Sequence, residues 1–194
     1  NSWCSIAGIV CEPVLGAGGV VGPPDGFLER VTEIARAEGA LVVADEVLTG
    51  VGRTGTFLAL EHWDVQPDLV FFGKGLGSGF PIMALGGKRE IMTAAPYGSP
   101  GGASTSFGGN PLAVAVALST LQVIEEENLL AHTQEMGRLL AERFAVLKEK
   151  HPLVGDVRGV GLLWGIELVK DRKTREPAEE EGRQVYMESL QRGL

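Results

Sequence analysis

The sequence has no long apolar run, no excess of positive charge and only two cysteines. Its apolar runs are far shorter than the ~20 residues that a helix needs to cross a bilayer, so we expect no membrane-spanning segment. Its 17 Lys and Arg residues against 25 Asp and Glu residues give a net charge of -8. A field of this sign repels nucleic acid and anionic lipid, so we expect binding to neither.

The two cysteines, Cys4 and Cys11, lie close together in the sequence without a CxxC motif or a histidine cluster. This pattern favours reduced, buried thiols and a cytoplasmic protein over a disulfide framework or a metal site. The three histidines fall on predicted helices or their ends, namely His62, His132 and His151. We therefore expect no metal centre.

The composition is that of a folded protein with a buried core. Of the 194 residues, 44% are hydrophobic and 22% are charged, which excludes a disordered chain. The length suits one domain of ordinary size, or one and a half.

Three short apolar segments predict buried strands, at residues 6–11, residues 40–44 and Leu69–Phe72. A helix from an N-cap at Asp25 to about residue 38 separates the first two, and a short helix at residues 58–63 precedes the third. Strands that alternate with helices imply a parallel sheet with right-handed crossovers, and hence an α/β fold.

Each predicted strand is followed by a residue that can do chemistry. Glu12 follows the first strand, Asp45 the second and Lys74, after a glycine, the third. The carboxyl ends of parallel strands share one edge of the sheet, and open α/β sheets bind ligands there. We therefore expect these three side chains to face one crevice, although each alone is equally well explained as a strand end in solvent.

Two glycine-rich loops follow. Residues 75–79 meet neither the GxGxxG pattern nor the P-loop spacing, and their serine is not in a GxSxG motif, so a nucleotide-binding module is the weaker alternative. In residues 101–111, Asn110 and Pro111 predict the N-cap and first turn of an apolar helix at residues 112–124. The hydroxyl run at residues 104–106 is of the kind that binds phosphate.

Four motifs together resemble the class III (omega-type) aminotransferases, which are pyridoxal-phosphate enzymes of fold type I. They occur in that family's order and spacing, and they are DEV at residues 45–47, GRTG at 52–55, FGKGLGSGFP at 72–81 and SFGGNPLA at 106–113. The resemblance implies a three-layer large domain around a mostly parallel sheet, with a smaller α+β C-terminal domain. Both are expected to be incomplete, because the family's chain is roughly twice this length.

The resemblance also implies a role for each site residue. Lys74 would form the Schiff base with pyridoxal 5′-phosphate and then move a proton between substrate and cofactor. Asp45 would keep the pyridine nitrogen protonated, so that the ring acts as an electron sink. Val47 would pack on the ring. Ser106, with Thr105 as the neighbouring candidate, would bind a cofactor phosphate across a subunit interface.

The activity implied is transfer of an amino group from an amine or amino acid to a 2-oxo acid, in a homodimer with shared active sites. Racemisation, epimerisation or decarboxylation with the same cofactor, and a non-catalytic fragment, are the alternatives. Ala17 stands where members acting on omega-amino acids often have a glutamate that partners a switching arginine, and Leu48 stands where relatives often have a glutamine. We therefore do not expect a dual-substrate switch of the 4-aminobutyrate or ornithine type.

The pattern changes at about residue 127, which predicts part of a large cofactor-binding domain at residues 1–126 and part of a small C-terminal domain at residues 127–194. An apolar stripe from Leu129 to Leu147 at helical spacing predicts one long core-facing helix. The remaining predictions are strands at residues 154–157 and 162–169 around a turn at 158–161, a solvated loop at 170–175, and a helix Glu179–Gln191 closed by Gly193.

Overall fold

The computed structural model describes residues 6–96, 98–102 and 105–194, which leaves Cys4 and Ser104 outside the described residues. The strands are β1 Gly8–Cys11, β2 Leu41–Asp45, β3 Leu69–Phe72, β4 Ala84–Gly87, β5 Val154–Val160, β6 Leu163–Asp171 and β7 Glu176–Pro177. The α-helices are α1 Phe27–Ala37, α2 Arg89–Met92, α3 Pro111–Glu126, α4 Leu129–Lys150 and α5 Glu179–Gln191. Two 3-10 helices cover Ala59–Trp63 and Lys74–Gly77.

The first sheet has the order β1-β2-β3-β4 and is parallel over its first three strands, as the sequence predicts. Cys11 lies opposite Ala44, and Asp45 lies opposite Phe71. β4 returns antiparallel to β3. The carboxyl ends of β1, β2 and β3 therefore lie at one edge of the sheet. Glu12, Asp45 and Lys74 lie at or just after these strand ends.

The centre of β2 is buried, whereas β1 is not. The prediction that β1 is buried on both faces is wrong, because Val10 is 59% exposed on a strand at the sheet edge whose outer face the described residues leave open. The predicted cap of α1 at Asp25 is also wrong. Gly26 takes the N-cap position with φ of 73°, a left-handed conformation that glycine adopts without steric cost.

Two helices predicted from sequence begin where expected, and both continue two or three residues beyond the predicted stretch. Asn110 caps α3, its side chain accepting a hydrogen bond from the Ala113 backbone at 2.9 Å, and Pro111 is the first helical residue. In α4, Thr133 and Gly137 are buried on the predicted apolar face. Trp164 of β6 packs edge-on against that helix, 5.4 Å from Phe144 between ring centroids.

The second sheet has the order β5-β6-β7 and is antiparallel. The β5–β6 turn is shorter than predicted, because β5 continues through Arg158 to Val160 and only Gly161 and Leu162 remain between the strands. An ion pair from Arg158 to Glu167 across the strands, 2.6 Å between atoms, holds this extension in the ladder. The predicted loop at residues 170–175 likewise begins later, since β6 runs to Asp171.

The turn of the second sheet rests on the loop that follows β2. The Leu162 backbone donates to Arg53 O at 2.9 Å, and the side chain of Gln134 donates to Gly55 O at 2.7 Å. The division of the chain between residues 126 and 127 stays a prediction.

Two further expectations concern the thiols and membranes. Cys11 is a free thiol and half-buried, and burial raises its pKa. Within the described ranges, no helix is both long enough and apolar enough to cross a membrane.

Candidate active site

Asp45 ends β2 at the shared edge of the first sheet and is half-buried. Its Oδ1 atom accepts a hydrogen bond from the Val47 backbone at 3.1 Å. No other hydrogen bond or ion pair reaches this carboxylate from the described residues, so Oδ2 is free to accept a hydrogen bond from a ligand. The local turn thus fixes the carboxylate while leaving half of it available.

Glu46, the next residue, is fully buried, with 0% of its surface exposed. Its Oε1 atom accepts from the Leu60 backbone at 2.9 Å, and its Oε2 atom accepts from the hydroxyl of Thr49. Its backbone donates to Phe71 O at 3.1 Å and accepts from Gly50 at 2.9 Å. Sequence reasoning missed this residue, whose only signal is a carboxylate placed between two residues assigned to a cofactor.

Lys74 begins the 3-10 helix that follows β3, and its backbone φ is 39°. The side chain is exposed, and its ammonium group has no hydrogen-bond or ion-pair partner among the described residues. A non-glycine residue in the left-handed region costs about 1–2 kcal/mol and is found disproportionately at functional sites. The site therefore offers an unpaired amine at a strained position.

Val47 connects the ends of β2 and β3. A Cβ built on Gly73 would lie 3.2 Å from Val47 Cγ1, so the valine side chain packs against the residue directly before Lys74. Val47 is half-buried. Its side chain thus lies against the residue before Lys74, and its backbone N–H holds the carboxylate of Asp45.

The edge expected to form one crevice carries two cavities, so the meeting of the three residues in one site stays a prediction. Glu12 and Asp45 line one cavity of about 520 Å³, beside the glycine-rich loop after β1. Lys74 lines another, of about 950 Å³, together with Arg53 and the exposed side of α3. After β3 the chain turns towards α3, where Leu76 lies in one apolar cluster with Ala117.

Glu12 has a structural partner in the loop that follows it. Its Oε2 atom accepts from the Gly16 backbone at 3.1 Å. Any side chain on Gly16 would overlap Leu48 Cδ2, so this loop lies directly on Leu48. The loop that contains Ala17 therefore covers Leu48. These are the two positions that depart from the aminotransferase pattern.

Arg158 of the second sheet holds the far end of the same loop. Its Nε donates to Gly19 O at 2.9 Å, and its Nη1 pairs with both Glu167 and Asp156. The hydrogen bond to Glu167 is the main cause that raises the pKa of Arg158, and the hydrogen bond from Lys148 is the main cause that lowers the pKa of Asp156. Residues of the C-terminal sheet therefore position a loop at the candidate site.

Thr105 and Ser106 lie on an exposed loop before α3, and neither lines the cavities named above. The structure does not bring them to Lys74 within this chain. Ser104, the third hydroxyl of the run, lies outside the described residues. Among the residues described, no group of three or more His, Cys, Asp and Glu side chains is arranged to hold a metal ion.

A family model for class-III aminotransferases matches residues 3–194, nearly the entire chain. The chain belongs to the class-III aminotransferase family. This confirms the resemblance carried by the four sequence motifs. The family uses pyridoxal 5′-phosphate, so the expected cofactor is confirmed with it.

Relatives of this aminotransferase chain include proteins with different named activities. It is 45% identical over 180 residues to the uncharacterized aminotransferase YhxA of Bacillus subtilis, covering 90% of this chain and 40% of that protein. It is 41% identical over 189 residues to a leucine/methionine racemase of Thermococcus litoralis, covering 97% of this chain and 42% of that protein. The chain thus spans about two fifths of the length of these relatives.

Solved transaminase structures have the same fold. An aminotransferase of Bacillus anthracis superposes with a TM-score of 0.81 at 41% identity, covering 89% of this chain and 39% of that one. An (S)-enantioselective omega-transaminase of Thermomicrobium roseum superposes with a TM-score of 0.80 at 39% identity, covering 88% of this chain and 38% of that one. The predicted α/β fold with a mostly parallel sheet is therefore confirmed.

The residues present fit the chemistry of this cofactor. An unpaired amine suits its aldehyde, a half-free carboxylate suits a protonated pyridine nitrogen, and an aliphatic side chain suits the face of a flat aromatic ring. Lys74, Asp45 and Val47 supply these groups at adjacent strand ends.

Proposed function

We propose that the protein containing this chain is a pyridoxal-phosphate-dependent aminotransferase that moves an amino group from an amine or amino acid to a 2-oxo acid. The observation that carries the proposal is the unpaired ammonium group of Lys74, one residue beyond the contact between Gly73 and Val47. When bound, the cofactor supplies an electron sink for negative charge at the substrate carbon. The chain supplies the groups that hold and protonate it.

Each residue has a distinct task in this proposal. The Nζ atom of Lys74 would hold the cofactor covalently and, as a free amine, would serve as the base and acid that moves a proton at the substrate carbon. Oδ2 of Asp45 holds a proton on the pyridine nitrogen, while Oδ1 stays bonded to Val47. Val47 packs on the ring and excludes water from one face.

The partners are also proposals. We place Thr105 and Ser106 at the cofactor phosphate of a second subunit, in a homodimer, because both hydroxyls lie on an exposed loop away from the Lys74 cavity. Sedimentation of the full-length protein checks the dimer, and a monomer would contradict it. The free thiol of Cys11 supports the proposed cytoplasmic location, where thiols stay reduced.

Borohydride trapping tests the lysine. The full-length protein is incubated with pyridoxal 5′-phosphate, reduced and mapped by peptide analysis, with Lys74→Ala as the test variant and Lys173→Ala as a matched exposed-lysine control. We expect label at Lys74 only, lost in Lys74→Ala and retained in Lys173→Ala. Label spread over surface lysines, or none, contradicts the proposal.

Racemisation with the same cofactor is the second candidate, because of the 41% identity to a leucine/methionine racemase. An amino donor supplied alone separates the two. A transaminase converts the bound cofactor stoichiometrically to its amine form. A racemase keeps the cofactor in its aldehyde form and inverts the configuration of the donor's amino-bearing carbon. Persistent aldehyde with loss of optical rotation would establish the racemase.

A further inference from the structure

Glu46 is a buried carboxylate for which the reaction has no direct use. It lies between Asp45 and Val47, but its side chain is fully enclosed while both neighbours are half-buried. A buried charge is tolerated only when hydrogen bonds replace its water. The hydrogen bonds of Glu46 therefore indicate which segments this carboxylate holds in place.

The hydrogen bonds of Glu46 reach three separate segments. Its side chain joins Thr49 in the turn and Leu60 in the 3-10 helix Ala59–Trp63. Its backbone N–H donates to Phe71 O in β3. One residue is thus fixed from the turn, the following helix and the neighbouring strand.

The fixed residue controls the two peptide units that place its neighbours. The Asp45–Val47 hydrogen bond spans the peptide units on either side of Glu46, so a rotation at residue 46 would break it. The same rotation would draw Val47 away from its contact with Gly73. Gly50 adds to the constraint, because a Cβ there would lie 2.8 Å from Glu46 O.

We propose that Glu46 is a positioning residue whose buried carboxylate orients Asp45 and Val47 towards the cofactor. The inference rests on the proposed function for the cofactor contact, and on geometry alone for the orientation of residues 45–47. The Leu60 N–H can only donate, whereas the Thr49 hydroxyl can also accept, so a glutamine would keep its oxygen on Leu60 and turn its NH₂ group towards Thr49. The negative charge and the two charge-assisted hydrogen bonds of residue 46 would then be lost.

The test compares Glu46→Gln with Asp68→Asn in the full-length protein. Asp68 is the matched control, because its carboxylate also accepts a backbone hydrogen bond from β2, at 2.8 Å from Val42, but at the opposite end of the strand. The measurements are the dissociation constant of pyridoxal 5′-phosphate and the pH midpoint of the bound cofactor's visible absorbance. The midpoint follows protonation of the nitrogen that joins Lys74 to the cofactor, and it shifts when the carboxylate of Asp45 is displaced from the ring nitrogen. A merely structural role of Glu46 would not change it.

We expect Glu46→Gln to raise the dissociation constant about tenfold, the effect of replacing two charge-assisted hydrogen bonds by neutral ones, and to move the midpoint by about half a pH unit. Asp68→Asn should lower the melting temperature and change neither quantity. Equal melting-temperature losses with wild-type affinity and midpoint in Glu46→Gln would overturn the proposal.

Thr49 provides a second variant should Glu46→Gln fail to fold. Thr49→Val removes one donor at constant shape and should act in the same direction, while Thr49→Ser keeps the hydroxyl and should restore wild-type behaviour. Wild-type affinity and midpoint in Thr49→Val would also overturn the proposal.

A cofactor-free measurement separates this inference from the proposed function. Hydrogen–deuterium exchange over residues 45–50 of the apo protein should be about tenfold faster in Glu46→Gln than in Asp68→Asn. Failure of the wild type to bind the cofactor would reject the proposed function, whereas equal exchange in the two variants would reject the positioning role.

Discussion

The carboxylate of Asp45 accepts a hydrogen bond from the Val47 backbone, with 3.1 Å between Oδ1 and the nitrogen. The two oxygens of this carboxylate therefore have different roles. Oδ1 is committed to the turn, and Oδ2 has no partner among the described residues. The hydrogen bond therefore orients the carboxylate at the sheet edge and leaves Oδ2 available as an acceptor.

Asp45→Asn tests this division. An asparagine oxygen can keep the bond to Val47, but the NH₂ group then replaces the free acceptor and donates to the pyridine nitrogen, which favours its unprotonated form. We expect kcat for transamination to fall at least about 100-fold, while the fold is unchanged. Steady-state kinetics and circular dichroism of the full-length protein measure the two effects.

Asp25→Asn is the charge-matched control for that variant. Asp25 is exposed and has no hydrogen-bond or ion-pair partner in the described part of the chain, so its loss should leave kcat within about twofold of wild type. A similar fall in both variants would show that net charge, and not the acceptor at Asp45, controls the rate.

Gly161 is the point at which the second sheet rests on the loop after β2. Its φ is 55°, and a Cβ there would lie 2.5 Å from the carbonyl carbon of Thr54. Gly161→Ala should therefore add a clash to the cost of the left-handed conformation and destabilise the protein by about 3 kcal/mol in total. Urea unfolding followed by tryptophan fluorescence measures the change.

Gly39→Ala isolates the conformational part of that cost. Gly39 also has a left-handed φ, of 69°, but a Cβ there meets nothing within 4 Å. We expect a loss of about 1 kcal/mol. If the two variants lose the same stability, the contact with Thr54 contributes nothing.

Local sequence patterns predicted the elements whose ends are set by their own residues. Leu69–Phe72 and Glu179–Gln191 have the predicted bounds, and Asn110 caps α3 as expected. The errors occur where contacts with residues distant in the sequence determine the bounds or the burial of an element. β5 extends through Arg158, whose side chain forms an ion pair with Glu167 of β6. β1 is exposed because the described residues leave its outer face open.

The candidate site shows the same limit. The alternation of strands and helices predicted that Asp45 and Lys74 lie at one sheet edge, but not the contact between Leu76 and Ala117 that joins the Lys74 turn to α3. Burial of Glu46 depends on a hydrogen bond to Leu60, fourteen residues away. Neither contact leaves a periodic signal in the sequence.

Asp68 links the start of β2 to Lys88, and it should make stability depend on pH. Burial raises the pKa of Asp68, but the hydrogen bonds from Lys88 and from the Val42 backbone outweigh it, so the pKa is lowered overall. A carboxyl with a lowered folded-state pKa stabilises the fold above its unfolded value of about 3.9. That contribution is lost as the pH falls through the folded-state pKa.

Melting temperatures of the apo full-length protein between about pH 7 and pH 3 check this, with Asp68→Asn as the variant and Asp25→Asn as the control. The wild type should melt a few degrees above Asp68→Asn at all pH values above about 5, and the gap should narrow below about pH 4 and close as the pH falls through the lowered folded-state pKa. Asp25→Asn should follow the wild type throughout, because its carboxylate has no partner to lose. A gap that is undiminished at pH 3 would mean that Asp68 stabilises β2 through its shape and neutral hydrogen bonds, and that its charge has no part in it.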